Sequence, residues 1–330
     1  MKKIILFIGI LFFLVGCGKN NDKDIIKELN NNINKSKNYQ ITATLEIFRN
    51  EEKFDYDVVS TYKKRDYFKV SLLNKKNNHE QIILKDQKSV YVLTPSLNKS
   101  FKFQSEWPYN NSQIYLLQPI ITDIENDKER KFEKTEDGYV ITSNVNYTNE
   151  REYQKQKVYL DKKYNIKKVE IINNNNEIKM CLNIISIEYD VDLNKDYFDI
   201  NKYIINNKEE EKKLNKTTVT LDEIVYPMYV PTDTYLAGQD VISTENGERV
   251  ILTFTGESEF TLIQENMGLN NNVGFVYGDP YLILDTVGSI TDSSVSWISN
   301  GIEYSIISDT LAIDELLTVA QSIGVEPIEK

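Results

Sequence analysis

Residues 41–72 read ITATLEIFRNEEKFDYDVVSTYKKRDYFKVSL, and their period decides the fold. Ile41, Ala43, Leu45 and Ile47 alternate with Thr42, Thr44 and Glu46. Phe54, Tyr56 and Val58 alternate with Asp55 and Asp57, and Phe68, Val70 and Leu72 with Lys69 and Ser71. Side chains on a strand point to opposite faces in turn, so each run is a half-buried antiparallel strand, apolar on one side and wet on the other. Asn50-Glu51-Glu52 reads as a connection, and Asn74–Asn78 as the next.

Working outward, the period lengthens upstream. Asp24 is placed to cap a short helix running to about Ile33, with Ile25, Ile26, Leu29 and Ile33 on one stripe. Downstream, strands are expected near Gln81–Leu84, Ser89–Leu93 and Ser100–Phe103. The segment Glu106–Ser112 breaks the series, because Pro108 cannot donate to a ladder. Ser112 is expected to cap a helix carrying Ile114, Leu117 and Ile121, bent or split at Pro119. Strands resume at Tyr139–Thr142, Lys155–Leu160, Lys167–Ile172 and Glu177–Tyr189. In the last of these the apolar phase slips near Ile184-Ile185, the mark of a bulge.

A helix followed by a meander of nine or ten strands curls to bury its one apolar face. The expected fold is therefore mainly antiparallel β: an N-terminal curled half-barrel with a helical lid, followed by a small C-terminal α+β domain. The concave face is either a packed core or a cavity for a greasy ligand. Leu45, Phe54, Tyr56, Val58, Phe68 and Val70, with Trp107 at the mouth, are the candidate cavity residues.

Domain limits follow from composition. Lys2 and Lys3 precede the uncharged run Ile4–Val15, too short to span a bilayer comfortably, so residues 1–16 read as a signal peptide. Residues 17–24 form a tether, 25–205 the half-barrel, 206–216 a charged linker and 217–330 the second module. That module carries 18 acidic residues against Arg249 and Lys330 alone, a net charge of −16, while residues 1–216 carry +5. Such a module avoids nucleic acid and is repelled by anionic lipid. Its expected strands are Val250–Thr255, Phe260–Gln264, Val295–Ile298 and Glu303–Ile307, with Asn246-Gly247 and Asn300-Gly301 as turns. Thr220–Pro231 is read as an extended, proline-bearing edge. Thr310 is placed to cap a last helix with Leu311, Ile313, Leu316, Leu317 and Ala320 inward, ending at Gly324. Trp297 and Tyr304 are candidate partner contacts, with core packing as the alternative for the tryptophan.

The chemistry-bearing residues are sparse. One histidine, His79, lies in a polar stretch without a second histidine to share a metal, and neither a nucleophile elbow nor a glycine-rich phosphate loop occurs. The acidic run Asp123, Glu125, Asp127, Glu129 fails as a calcium loop, having Lys128 and Lys134 where glycine and glutamate are needed. Asp279 and Asp285 read as turn and surface groups. Cys181, between Met180 and Leu182, reads as a buried strand residue. These features point to a non-enzyme with no metal and no cofactor.

Two resemblances add to this. Leu14-Val15-Gly16-Cys17 resembles the lipobox of bacterial lipoproteins, which implies cleavage between Gly16 and Cys17 and a diacylglyceryl thioether on Cys17. The helix, the meander and the stretch Val90–Ser100 through Trp107-Pro108 resemble the LolA-type lipoprotein fold. The nearest likeness is to the YdcC sporulation and GerS-related germination lipoproteins of spore-forming Firmicutes. Gly256–Glu265, Trp297 with Gly301–Tyr304, and Leu311–Ile323 resemble a small domain of unknown function found in such lipoproteins and in anti-sigma-type regulators. The resemblance implies a chain lipid-anchored on the extracytoplasmic face of the cell membrane, without catalytic residues. It would bind an envelope protein (a cell-wall amidase, as germination lipoproteins do) or an acyl ligand, as LolA does. A regulator holding the extracellular part of an anti-sigma factor, as RseB-like relatives do, is the second expectation. An enzyme acting on the cell wall is the third.

Overall fold

The computed structural model describes residues 22–49, 52–147, 149–203, 224–267 and 273–323. The signal segment, Gly16, Cys17, the linker 206–216 and Gly324 lie outside them.

Helix α1 (Asp22–Lys35) turns Ile25, Ile26, Leu29 and Ile33 inward, as its stripe requires. The meander follows: β1 (Asn38–Arg49), β2 (Glu52–Lys63), β3 (Tyr67–Asn74), β4 (Glu80–Lys85), β5 (Val90–Thr94) and β6 (Lys99–Gln104). Helix α2 (Leu117–Asn126) interrupts it before β7 (Lys131–Lys134), β8 (Gly138–Asn144), β9 (Lys155–Asp161), β10 (Ile166–Ile172) and β11 (Ile178–Tyr189). β11 returns to pair with β1 in the middle of the sheet. Ser186 faces Thr42 and Ile184 faces Ala43, so Ile185 is the extra residue of a bulge and points to solvent.

Helix α2 corrects one expectation. Ser112 does not cap it; the helix starts after Leu116, with no side-chain cap. Pro119 thereby falls in the first turn, where its missing N–H has no intrahelical partner to lose, so the helix is neither split nor bent there. The Ser112 hydroxyl instead donates to Asp123 at 2.7 Å and accepts from the Asn146 amide. With α1, α2 closes one mouth of the curled sheet.

The second module is a seven-stranded antiparallel sheet in the order β12-β13-β14-β19-β18-β17-β16. Its strands are β12 (Thr234–Thr244), β13 (Gly247–Gly256), β14 (Phe260–Asn266), β16 (Asp279–Ile283), β17 (Thr286–Ile290), β18 (Ser294–Ser299) and β19 (Ile302–Ile307). Helix α3 (Ile313–Gln321) packs against β16, β18 and β19. Thr310 does not cap it: the N-cap is Ala312, and the Thr310 hydroxyl donates to the Glu259 carbonyl. Asn300 (φ 49) and Gly301 (φ 79) form the two-residue hairpin turn joining β18 to β19.

One strand crosses between the units. β15 (Gly274–Tyr277), from the second module's sequence, pairs parallel with β6 and becomes the end strand of the first, twelve-stranded sheet. Gly274 lies against the Phe101 ring, where a β-carbon would come within 2.8 Å.

Candidate functional site

The sequence leaves the concave face as either a packed core or a cavity, and the side chains decide between them. Leu45, Tyr56, Val58, Phe68, Val70 and Trp107 are buried in one continuous core, and Phe54 packs half-buried against it. The Trp107 ring meets Phe68 edge-on at 6.0 Å. Tyr39, wholly buried, donates to Gln118 and accepts from the Leu117 amide, which pins α2 over the face. Burial in an apolar core drives that phenol far above its usual range, so it stays neutral. Between α1, α2 and the strands β10 and β11 lies a cleft of about 110 Å³, where Leu29, Ile33, Leu117 and Ile121 face a rim that includes Asn32, Asn165 and Lys167. Drug-sized ligands occupy roughly 300–1,000 Å³. A wider, open hollow of about 410 Å³ lies at α2, with a mixed wall in which Tyr109, Pro119 and Val145 alternate with Gln118, Asp123 and Asn144. Burial pushes Asp123 up to about 6, against the lowering effect of the Ser112 hydroxyl.

The open end of the half-barrel is covered by the second module. Arg49, at the end of β1, is nearly buried and pairs with Glu150 at 3.0 Å. The Tyr153 hydroxyl accepts from the same guanidinium at 2.8 Å, and the rings of Tyr153 and Tyr281 flank it at 5.8 and 6.0 Å. Burial works against that charge, but the Tyr153 and Tyr281 phenols and the Glu150 carboxylate outweigh it and keep Arg49 ionised. The Gln81 side chain pairs with both the N–H and the C=O of Val287, as a neighbouring strand would. Tyr56 donates to the Leu284 carbonyl at 2.9 Å. Asp279 accepts from Ser105 and Asn110, and Arg151 pairs with Asp314 at 2.9 Å. Asp279, read from sequence as a turn or surface group, is thus an acceptor within the seam, and Asp285, half-buried at the turn between β16 and β17, accepts from Asn77 across the same seam at 3.3 Å.

Trp297 and Tyr304 stack at 5.2 Å with both side chains buried in the second core. His79 is half-buried; burial lowers its pKa, and its ring nitrogen is 3.5 Å from the Ser96 hydroxyl. Among the described residues no group of three or more His, Cys, Asp or Glu could hold a metal ion. No helix there is long and apolar enough to cross a membrane. Sequence reading missed Arg49, Gln81 and Glu150, whose partners lie tens to hundreds of positions away. It also missed β12, whose face toward the core carries Leu236 and Val241 opposite Phe254 and Val250, yet stays open to solvent.

These features define a mainly antiparallel β protein: a half-barrel under a helical lid, sealed at its other end by a small acidic α+β module. The chain is 32% identical to the sporulation protein YdcC of Bacillus subtilis (strain 168) over 98% of both chains, and it belongs to that protein's family. No family model matches it. Among solved structures, the Pseudomonas aeruginosa MucA/MucB complex aligns over 91% of this chain and 98% of its own (10% identity, TM-score 0.34). A chain of the Clostridioides difficile structure of the CwlD amidase in complex with the GerS lipoprotein aligns over 52% of this chain and 97% of its own (17%, 0.31). A LolA superfamily protein of Nitrosomonas europaea aligns over 55% and 98% (12%, 0.30).

Proposed function

We propose that this chain is a non-catalytic envelope protein, moored outside the cytoplasm by a lipid on Cys17, that holds a protein partner during sporulation or germination. One observation carries the choice of a protein over an acyl chain. The side chains that would line an acyl channel are packed against one another, closed on one side by α1 and α2 and on the other by the second module. A ligand therefore meets the outside of the molecule, where proteins bind through broad surfaces. The YdcC relation supports the setting, and the seam supports a rigid unit that presents a fixed surface. Cys17 itself rests on the lipobox resemblance, since two acyl chains suffice for stable anchoring.

The test is chemical crosslinking in sporulating cells, followed by purification of the tagged chain from membranes. A discrete crosslinked envelope protein, absent when the chain is absent, is expected. Recovery of stoichiometric fatty acid or phospholipid in place of a protein would overturn the reading.

A further inference from the structure

The open end of the second sheet is unlike its other surfaces. β12 is eleven residues long and ends the seven-stranded sheet, and among the described residues no strand pairs with its outer side. Natural edge strands are blunted by charged side chains, lysine above all, by proline, by bulges or by being short. β12 (TYLAGQDVIST) has neither lysine nor proline, and a single bulge at Ala237 is its one irregularity. Leu236 (41% exposed) and Val241 (51%) lie opposite the buried Phe254 and Val250 at this edge, and between them Gln239, opposite Leu252, accepts from the Tyr226 hydroxyl at 2.6 Å. Helix α3 packs on β16, β18 and β19, and β12 lies at the opposite end of the sheet from β16. On the other face Tyr235 (64%) and Ile242 (47%) are equally uncovered. Around the strand Asp233, Asp240, Glu245, Glu248 and Glu257 are all exposed. Residues 217–329 contain one cation, Arg249, and Glu265 neutralises it at 2.7 Å.

We infer that β12 is a docking edge for an extended, basic segment of a protein partner, added as an eighth strand. Main-chain hydrogen bonds to the edge give affinity. Alternate apolar side chains cover Leu236 and Val241, and lysines or arginines on the partner meet the acidic rim. A second copy of this chain fits poorly, because it would bring two modules of charge −16 edge to edge. An anionic membrane is repelled for the same reason. The inference rests on the partner-binding reading and names the surface and the chemistry of that partner.

The experiment uses the full chain in detergent and a fluorescent nonapeptide, KVKITVKVK, as probe. Anisotropy is expected to report binding that weakens as salt rises to about 0.3 M. The acidic counterpart EVEITVEVE should not bind. Methylating the backbone nitrogens of one alternate set of peptide residues should abolish binding, and methylating the other set should spare it. Leu236→Lys combined with Val241→Lys should weaken binding about tenfold or more while the melting curve stays unchanged, since both side chains are exposed. Equal binding of the acidic peptide, indifference to both methylation patterns, or an undiminished double variant would each overturn the inference. So would a dimer that the double variant dissociates, which would make the occupant a second copy. If the double variant still captures the crosslinked envelope partner at full yield, the edge is wrong while the partner-binding reading stands.

Discussion

Replacing Glu150 with leucine tests whether the two sheets act as one unit. The Arg49 guanidinium is held by Glu150 at 3.0 Å and by the Tyr153 hydroxyl at 2.8 Å, and one of its nitrogens, Nη1, has no partner. Removing one member of a buried ion pair costs about 3–5 kcal/mol, because the other charge is left uncompensated. Here the rings of Tyr153 and Tyr281 each retain about 1 kcal/mol of attraction for the cation. The expected cost is therefore at the lower end, about 3 kcal/mol, including the loss of the acceptor that Gln321 uses at 3.2 Å. Arg49→Met added to Glu150→Leu removes the stranded charge and should restore stability to within about 1 kcal/mol of the parent. The assay is urea unfolding followed by tryptophan fluorescence. Trp107 reports the first core and Trp297 the second, so Trp107→Phe and Trp297→Phe each leave one reporter. Both transitions should move to lower urea together with an unchanged slope. A loss below about 1 kcal/mol, or movement of one reporter alone, would refute the claim that the seam couples the sheets.

Gln81→Leu should cost about 2–4 kcal/mol, measured by urea unfolding, because it leaves the buried N–H and C=O of Val287 without partners. Asp123 is raised from 3.8 to about 6, chiefly by burial, so its contribution is fully present below pH 4 and is lost as pH rises through about 6. Asp123→Asn should therefore stabilise the protein at pH 7 by on the order of 2 kcal/mol and flatten the stability profile between about pH 4 and 6. Gly138→Ala should destabilise by about 2 kcal/mol or more in thermal melts, since φ is +158° there and a β-carbon would lie 2.0 Å from the Leu160 carbonyl oxygen. Cys17→Ser should move the protein from the membrane to the soluble fraction in cell fractionation, because it removes the proposed site of both acyl chains.

Local chemistry explains what could be read from the sequence. The alternation from Ile41 to Leu72 appears as β1, β2 and β3 with the marked side chains inward. The phase slip at Ile184-Ile185 appears as a bulge, and Asn300-Gly301 as a two-residue turn. Each signal is complete within a few residues. The parallel pairing of Gly274–Tyr277 with Phe101–Gln104 is not, because four residues carry too little period and the contact spans some 170 positions. The same holds for Gln81 against Val287 and Arg49 against Glu150. A lone polar or charged side chain reads as solvated until a distant chain segment buries it. Ser112 misleads for the opposite reason. A serine before an apolar run is a good cap in isolation, but here Asp123 and Asn146 occupy its hydroxyl and helix α2 begins five residues later. For the candidate site, the concave residues were legible as inward-facing. Whether they enclose space depends on the lid and the seam, which no single strand specifies.

Native mass spectrometry of the protein taken from its own membrane in mild detergent tests the central claim most directly. The expected mass is that of a chain beginning at Cys17 plus its covalent lipid, with no further fatty acyl species retained inside. An unmodified N-terminus, or a non-covalently held acyl chain in stoichiometric amount, would contradict a packed half-barrel moored by lipid at Cys17.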